Sequence, residues 1–300
     1  MISRLSQLVD AAKAKGKKRL VAAYANDSHT IGAIDNGVEH GIIDAILIGN
    51  REKIESVCKA NSIDSSKFEI VECESDMDCV NMAVQYINEG KADIMMKGVV
   101  STDKYMRGIL AKNGGLVPPR ATLSHVTVVE IPSYHKLLTI TDVAVIPAPD
   151  LSQKIALTNY VIKVAHTLGI DEPKVALIAP TEQMLPKIES CVDAAIIAKM
   201  GDRGQIKGAL IDGPLALDVA IDKEAAAIKG VKSVVDADAD CLVFPTIEAA
   251  NVFFKTTTKL CKGELAAMVM GAKAPCVLTS RGDSENSKLY SIALAVLNAK

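Results

Sequence analysis

Short hydrophobic runs rich in β-branched residues alternate with longer segments of helical periodicity along most of the chain. A short apolar run bounded by turn residues is typical of a buried strand, and apolar positions three and four residues apart are typical of a helix. The strands predicted in the first third are 19–25, 44–48, 68–71 and 93–96, with helices between them. This alternation predicts βαβ units and mostly parallel sheets covered on both faces.

The alternation is interrupted at residues 112–134. A strand-like run at 121–131 is flanked there by five turn-forming residues: Gly114, Gly115, Pro118, Pro119 and Pro132. We interpret this segment as a crossing between two domains, because 300 residues exceed the usual size of one domain. The elements predicted beyond it are strands at 139–146, 175–178, 209–211, 241–244 and 275–279, and helices at 151–168, 183–199, 247–261 and 284–297.

Composition and charge narrow the class of protein. The sequence is 49% hydrophobic with no Trp, and aromatic residues make up 3%, so the core must consist of Ala, Val, Ile, Leu and Met. A net charge of -2 provides no positive field for nucleic acid. No uncharged apolar run reaches the length of a membrane span or of a signal-peptide core, so we predict a cytoplasmic protein with no membrane partner.

The cysteine pattern does not indicate a disulfide-linked or metal-binding protein. There are seven, an odd number, and no C-x-x-C pair occurs among them. This pattern favours neither a disulfide framework nor a zinc site, and we expect most of the thiols to be small buried groups.

Two loop segments are candidates for anion binding. Residues 279–284, with the sequence TSRGDS, follow a predicted strand and open a helix, where backbone amides and hydroxyls can hold an anion. Residues 97–102 form a second strand-to-helix junction, with Arg107 further along. A helix N-cap explains either segment without a ligand. Neither the G-x-x-x-x-G-K-[ST] nor the G-x-G-x-x-G fingerprint is present.

The sequence gives weaker support for a metal site or a hydrolase active site than for anion binding. Asp218 and Asp222 are spaced to share one helix face, as a divalent metal requires, although favourable charge at a helix N-terminus is the commoner explanation. The acidic run at 236–240 lacks the glycine and the final carboxylate of a calcium loop. The five histidines have no metal-ligand spacing, and no G-x-S-x-G elbow occurs. We therefore predict no metal ligands.

Taken together, five segments resemble the phosphate acetyl/butyryltransferase family. In chain order they are MKG at 96–98 with Arg107, TDVAVIP at 141–147, DGPLALD at 212–218, Phe244-Pro245 with Asn251 and Lys255, and SRG at 280–282. Three segments make the butyryl-transferring branch the nearest resemblance: AKMGDRGQI at 198–206, GPLALD at 213–218 and KLYS at 288–291.

Membership of this family implies a particular architecture. The chain would form two three-layer α/β domains of the isocitrate and isopropylmalate dehydrogenase type, with the active site in the cleft between them. The first domain would be discontinuous, 1–141 with 270–300, and the second would span 142–269. A homodimer or a higher homo-oligomer is also implied, with acyl-CoA and phosphate as substrates and no tightly bound cofactor.

The resemblance also implies roles for single residues. Phosphate attacks an acyl-CoA thioester, so negative charge develops on the carbonyl oxygen and then on sulfur, and donors and cations are needed there. Ser280 would donate to the oxyanion, and Arg281 would act in catalysis and bind phosphate, as guanidinium forks do. The other phosphate-binding residues implied are Lys97, Ser101, Thr102, Arg107 and Arg120.

One position departs from the family pattern. Acetyl-transferring relatives carry an Asp seven residues after the serine, thought to deprotonate the CoA thiol, and this chain has Ser287 there. Asp283 or Glu285 are alternative bases from the same loop. Three other interpretations stay open: a phosphate acetyltransferase, a metal- and NAD-dependent dehydrogenase on the same fold, and an acyl-CoA-binding regulator without catalysis.

Overall fold

The structure, a computed structural model, describes residues 1–279 and 282–300. Its strands are β1 (Lys18–Ala23), β2 (Ile43–Gly49), β3 (Phe68–Glu72), β4 (Ile94–Lys97), β5 (Ser124–Glu130), β6 (Leu138–Thr141), β7 (Lys174–Ile178), β8 (Leu210–Leu215), β9 (Cys241–Val243), β10 (Glu264–Met270) and β11 (Cys276–Val277). Its helices are α1 (Gln7–Lys15), α2 (Ser28–Glu39), α3 (Arg51–Ala60), α4 (Asp76–Asn88), α5 (Thr102–Ile109), α6 (Leu151–Thr167), α7 (Glu189–Asp202), α8 (Leu217–Ile221), α9 (Lys223–Lys229), α10 (Ile247–Lys255) and α11 (Glu285–Asn298).

The chain divides into two compact units. We call Leu5–Leu123 with Glu264–Lys300 the terminal unit, and Met1–Arg4 with Ser124–Gly263 the central unit. The domain limits predicted from the sequence, 1–141 with 270–300 and 142–269, differ from the limits of these units and stay a prediction. The predicted likeness to isocitrate dehydrogenase also stays a prediction.

Each unit has a mostly parallel sheet. In the terminal unit the strand order is β3-β2-β1-β4-β11-β10, and β10 alone runs antiparallel to its neighbour β11 among the described pairs. In the central unit the order is β5-β6-β9-β7-β8, with β5 antiparallel to β6 and the other pairs parallel. The predicted α/β class with mostly parallel sheets is confirmed.

Polar residues set where many of the helices begin. A side chain just before the helix accepts a hydrogen bond from a backbone amide in the first turn, which would otherwise lack a partner. The N-caps of this kind are Asp27 for α2, Asn50 for α3, Ser75 for α4, Ser101 for α5, Asp150 for α6, Thr246 for α10 and Ser284 for α11. Asp150 also forms a full capping box with Gln153.

The core has the expected composition. Its fully buried side chains are mostly Leu, Ile, Val and Ala, and six of the seven cysteines are buried as free thiols, as predicted. Burial raises the pKa of the Cys276 thiol to about 12, so this group stays neutral at physiological pH. Among the described helices, none is long and apolar enough to cross a membrane.

Several predicted elements differ from the structure. Strand β10 was not predicted, because its sequence ELAAMVM is rich in Ala and Met rather than in β-branched residues. Helix α7 begins at Glu189 rather than at 183, since Pro186 disfavours helical geometry in the residue before it. The last predicted turns of α10 form a π-helical segment, Thr256–Leu260.

The prediction that Asp218 and Asp222 share one helix face is wrong. Helix α8 ends at Ile221, and the Asp222 side chain caps the next helix, accepting from the amides of Glu224 and Ala225. Asp218 pairs with the Lys229 ammonium at 2.9 Å, and this hydrogen bond is the main cause that holds the pKa of Asp218 below its usual value. The two carboxylates therefore have separate structural partners.

A buried ion pair joins two helices of the central unit. Lys154 Nζ of α6 donates to Asp193 Oδ2 of α7 at 2.6 Å, and both side chains are less than 10% exposed. Removing one partner of such a pair leaves an uncompensated buried charge, whereas replacing both by apolar groups removes the desolvation penalty as well.

We expect Lys154→Met to lower the free energy of unfolding by about 3–5 kcal/mol, because Asp193 would be left buried and unpaired. The double variant Lys154→Met/Asp193→Leu should recover most of that loss. Urea unfolding followed by circular dichroism measures both. A double variant no more stable than Lys154→Met would contradict the explanation.

Candidate functional site

A cavity of about 330 Å³ lies in the terminal unit, at the carboxyl ends of three neighbouring parallel strands. Its walls are formed by the segments that follow β1, β4 and β11 and by one residue of α11. The lining residues are Asp27, His29, Thr30, Lys97, Gly98, Val99, Thr279 and Lys288. Ligands of open parallel sheets usually bind at this edge, which is the edge that the order of strands and helices predicts for this chain.

Backbone contacts hold two of these segments together beyond the strands. Gly98 N donates to Ala23 O at 2.9 Å, and Val99 N donates to Tyr24 O at 3.0 Å. A Cβ atom on Gly98 would lie 2.2 Å from Tyr24 O, so no other residue fits without moving backbone. The glycine of the MKG segment therefore allows the close approach that shapes one wall of the cavity.

Lys97, a predicted phosphate-binding residue, lies in this wall. It ends β4, is 7% exposed, and its ammonium donates to the carbonyl oxygens of Gly98 at 3.0 Å and Val100 at 3.1 Å. These bonds keep a buried positive charge at the cavity. Its role toward phosphate stays a prediction.

Lys288 is a second buried lysine at the same cavity. It belongs to the first turns of α11, is 4% exposed, and donates to Asp283 O at 3.2 Å. In the sequence, Lys288 stands out only as part of the KLYS segment that resembles the butyryl branch. The residues next to Lys288 in the sequence do not indicate that it lines a cavity, because only folding brings α11 to the ends of β1 and β4.

The central residues of the predicted catalytic loop, Ser280 and Arg281, lie outside the described residues. The residue before them, Thr279, is buried and lines the cavity.

The other predicted phosphate-binding residues do not line this cavity. The Ser101 hydroxyl accepts from Lys104 N at 3.3 Å as the N-cap of α5, and Thr102 is the first residue of that helix. Arg107 is exposed and pairs with Asp103 one turn earlier, at 2.7 Å. Arg120 is exposed and has a left-handed backbone with φ of 64°. Their part in phosphate binding stays a prediction.

The two alternative bases named from the sequence have different surroundings. Asp283 is half-buried, and its backbone carbonyl accepts from Lys288. Glu285 is exposed in the first turn of α11. Whether either acts as a base stays a prediction.

A carboxylate does lie beside Ser287, but it comes from another strand. Glu264 Oε2 at the start of β10 accepts from the hydroxyls of both Ser284 and Ser287, at 2.7 Å each. Ser287 is buried, and Glu264 is half-buried. Sequence reasoning missed Glu264, because it lies 23 residues before Ser287 and belongs to the strand that was not predicted.

Two further segments of the family resemblance shape a loop of the central unit. The buried Asp142 carboxylate accepts from three successive amides, those of Ala144, Val145 and Ile146, at 2.9 to 3.1 Å. Asn251 Nδ2 donates to Val143 O in the same loop at 3.0 Å. In residues 1–279 and 282–300, no group of three His, Cys, Asp or Glu is arranged to hold a metal ion.

We expect Ser287→Asp to lower the free energy of unfolding by about 1–3 kcal/mol, because it would place a second carboxylate against Glu264 in a buried position. Adding Glu264→Gln removes the repulsion and should restore most of the stability. Urea unfolding at pH 7 compares the three proteins. Wild-type stability in Ser287→Asp would show that the two side chains do not meet.

Comparison with known proteins gives matches over nearly the whole chain. The family model described as phosphate acetyl/butaryl transferase matches residues 3–88 and 76–296. A phosphate butyryltransferase from Clostridium acetobutylicum is 42% identical over 299 residues, which cover 100% of this chain and 99% of the relative. A phosphate acetyltransferase from Thermotoga maritima is 38% identical over 295 residues, covering 98% and 99%.

Solved structures agree with these matches. A branched-chain phosphotransacylase from Enterococcus faecalis V583 superposes with a TM-score of 0.80 at 28% identity, covering 94% of this chain and 100% of the other. A phosphotransacetylase from Streptococcus pyogenes shares the fold, with a TM-score of 0.83 at 18% identity.

Proposed function

This chain belongs to the phosphate acetyl/butyryltransferase family and is an acyltransferase, and we propose that it transfers a short acyl group, preferentially butyryl, between coenzyme A and inorganic phosphate. The reaction is acyl-CoA + phosphate = acyl phosphate + CoA. We also propose that the protein works in the cytoplasm as a homo-oligomer.

The observation that carries this proposal is the cavity beside the predicted catalytic loop. Two buried lysines, Lys97 and Lys288, line it together with the buried Thr279, which precedes Ser280 and Arg281 in the sequence. Phosphate brings negative charge, and a buried ammonium in a water-poor site attracts it far more strongly than an exposed one does.

The residues then have complementary tasks. The lysines and Arg281 hold phosphate so that one oxygen faces the thioester carbon, which converts a bimolecular reaction into one between positioned groups. Ser280 donates to the carbonyl oxygen as negative charge develops there. The leaving thiolate is a good leaving group, since a thiol has a pKa near 8.5, and it needs only modest electrostatic help.

The preference for butyryl is supported by sequence rather than by a located pocket. Two named phosphate butyryltransferases are 42% and 41% identical to this chain, and the phosphate acetyltransferase from Thermotoga maritima is 38% identical. Burying two additional methylenes contributes about 0.8 kcal/mol each, which corresponds to roughly tenfold in kcat/KM.

We expect phosphate-dependent release of free CoA that is greatest for butyryl-CoA among the acetyl, propionyl, butyryl and valeryl thioesters, measured with a thiol reagent. Ser280→Ala should lower kcat by about 100-fold to 1000-fold, since one oxyanion donor is lost. Arg281→Ala should lose most of the phosphate-dependent rate. Arg51→Ala is the matched control, because Arg51 binds Ile70 O and pairs with Glu55 on an exposed face.

Other outcomes separate the alternatives. Binding of butyryl-CoA without release of CoA from any thioester would favour a regulator. Release that does not depend on phosphate would favour a hydrolase, and a maximum at acetyl-CoA would make the protein a phosphate acetyltransferase.

A further inference from the structure

The imidazole of His29 lines the same cavity as Lys97 and Lys288. His29 is the second residue of α2 and is exposed, whereas both lysines are buried. The imidazole therefore lies toward the solvent side of the cavity, where an arriving substrate can reach it. Within residues 1–279 and 282–300 it forms no hydrogen bond and no ion pair, so both ring nitrogens are available to a ligand.

The proposed reaction moves one proton between its two substrates. Phosphate has a second pKa of about 6, so the dianion present at neutral pH retains one P–O–H group. When an unprotonated phosphate oxygen forms the new C–O bond, the C–S bond breaks and its electron pair leaves with sulfur. The P–O–H proton then ends on the CoA thiol, and in the opposite direction it returns to phosphate. A side chain that accepts and returns a proton near neutral pH therefore assists both directions.

The other groups that line the cavity are unsuited to this task. Lys97 and Lys288 are cations, and an ammonium has no lone pair with which to accept a proton. The Asp27 carboxylate accepts a backbone amide through Oδ1 as the N-cap of α2, and its Oδ2 is buried away from the cavity space. The remaining lining groups are threonine hydroxyls and backbone. Histidine is the side chain that ordinarily changes its charge between pH 5 and 8.

The carboxylates of the neighbouring segments have other surroundings. Asp283 and Glu285, the alternative bases that the sequence suggests, are not among the described residues that line the cavity. The Glu264 carboxylate is engaged by the hydroxyls of Ser284 and Ser287. Among the described lining residues, His29 is therefore the accessible side chain that can take up a proton.

We propose that His29 is a catalytic residue of the acyl transfer, in which its imidazole takes the proton of the CoA thiol, delivers it to the departing phosphate, and does the reverse in the opposite direction. The proposal rests on the function proposed above and adds the group that carries its proton. An imidazolium beside sulfur also stabilises the thiolate, as cationic neighbours of a thiol do.

The size of the effect follows from the ionisation of a free thiol. With a pKa of about 8.5, roughly 3% of a thiol is ionised at pH 7 and roughly three quarters at pH 9. Without a proton acceptor, only this ionised fraction of CoA attacks an acyl phosphate. The expected loss is therefore about 30-fold at pH 7 and at most about twofold at pH 9.

The other charged groups at the cavity do not produce this pattern. The described ones that face it together with His29 are Asp27 after β1, Lys97 at the end of β4 and Lys288 of α11. Wild type and a His29 variant share all three, so their titration cancels in the ratio of the two rates. A substitution that only disturbed the cavity would lower the rate equally at both pH values.

The test measures acyl-CoA formation from CoA and butyryl or acetyl phosphate, followed as loss of free thiol, at pH 7 and pH 9. It compares wild type with His29→Gln and with His40→Gln, the same substitution at an exposed histidine at the other end of α2 and outside the cavity. Both side chains are exposed, so both variants should melt at the wild-type temperature.

We expect His29→Gln to lower kcat/KM for CoA about 30-fold at pH 7 and to approach wild type at pH 9, with the KM for acyl phosphate changed by less than about twofold. His40→Gln should match wild type at both pH values. Free imidazole added to His29→Ala should recover part of the rate at pH 7, because it can occupy the space of the missing ring.

Three results would overturn the role of His29 in an active enzyme: a wild-type rate in His29→Gln at pH 7, a loss of equal size at pH 7 and pH 9, or the expected pH pattern in Asp283→Asn or Glu285→Gln instead. Failure of the proposed function looks different. A wild-type protein that transfers no acyl group in either direction would reject the acyl transfer and the role of His29 together.

Discussion

The approach of the Gly98 backbone to Tyr24 O is the contact on which the candidate site depends. Strands β1 and β4 remain hydrogen-bonded through residues 98 and 99, and a Cβ at Gly98 would occupy the position of the neighbouring backbone. This contact brings the residues after β1 against the end of β4, so that Asp27 and Lys97 line one cavity. A side chain at position 98 would push apart the segments that follow β1 and β4. Asp27 and Lys97 would then no longer line the same cavity.

Buried charges have two contrasting fates in this protein. Lys154 and Asp193 neutralise each other at 2.6 Å, an arrangement that the central unit completes by itself. Lys288 and Asp27 instead face the same cavity without an ion pair between them. The first arrangement is structural. In the second, the buried Lys288 ammonium at the cavity wall has the backbone carbonyl of Asp283 as its partner rather than a carboxylate, among the described residues, and such a group costs stability.

The segments that carried the family resemblance divide between these tasks. Gly98 and Lys97 lie at the cavity, whereas Asp142 and Asn251 fix the conformation of a loop in the central unit. A motif residue is therefore not automatically a ligand-binding residue. Conversely, a residue outside the motifs can lie beside a motif position. Ser287 stands where acetyl-transferring relatives carry an Asp, and its hydroxyl donates to the Glu264 carboxylate of β10.

The sequence by itself determined the α/β class, the order of most strands and helices, the family, and the edge of the sheet at which the cavity lies. These features depend on local periodicity, capping residues and short motifs, each of which can be recognised from a few neighbouring residues in the sequence. Only the tertiary structure decided that Lys288 and Asp27 line one cavity and that Glu264 lies against Ser287. It also decided that Arg107 is paired on an exposed face and that ELAAMVM is a strand. The reason is physical, because each of these features depends on residues that are distant in sequence. A side chain becomes buried, a charge finds its partner and a weakly β-forming segment pairs only when the sheets assemble.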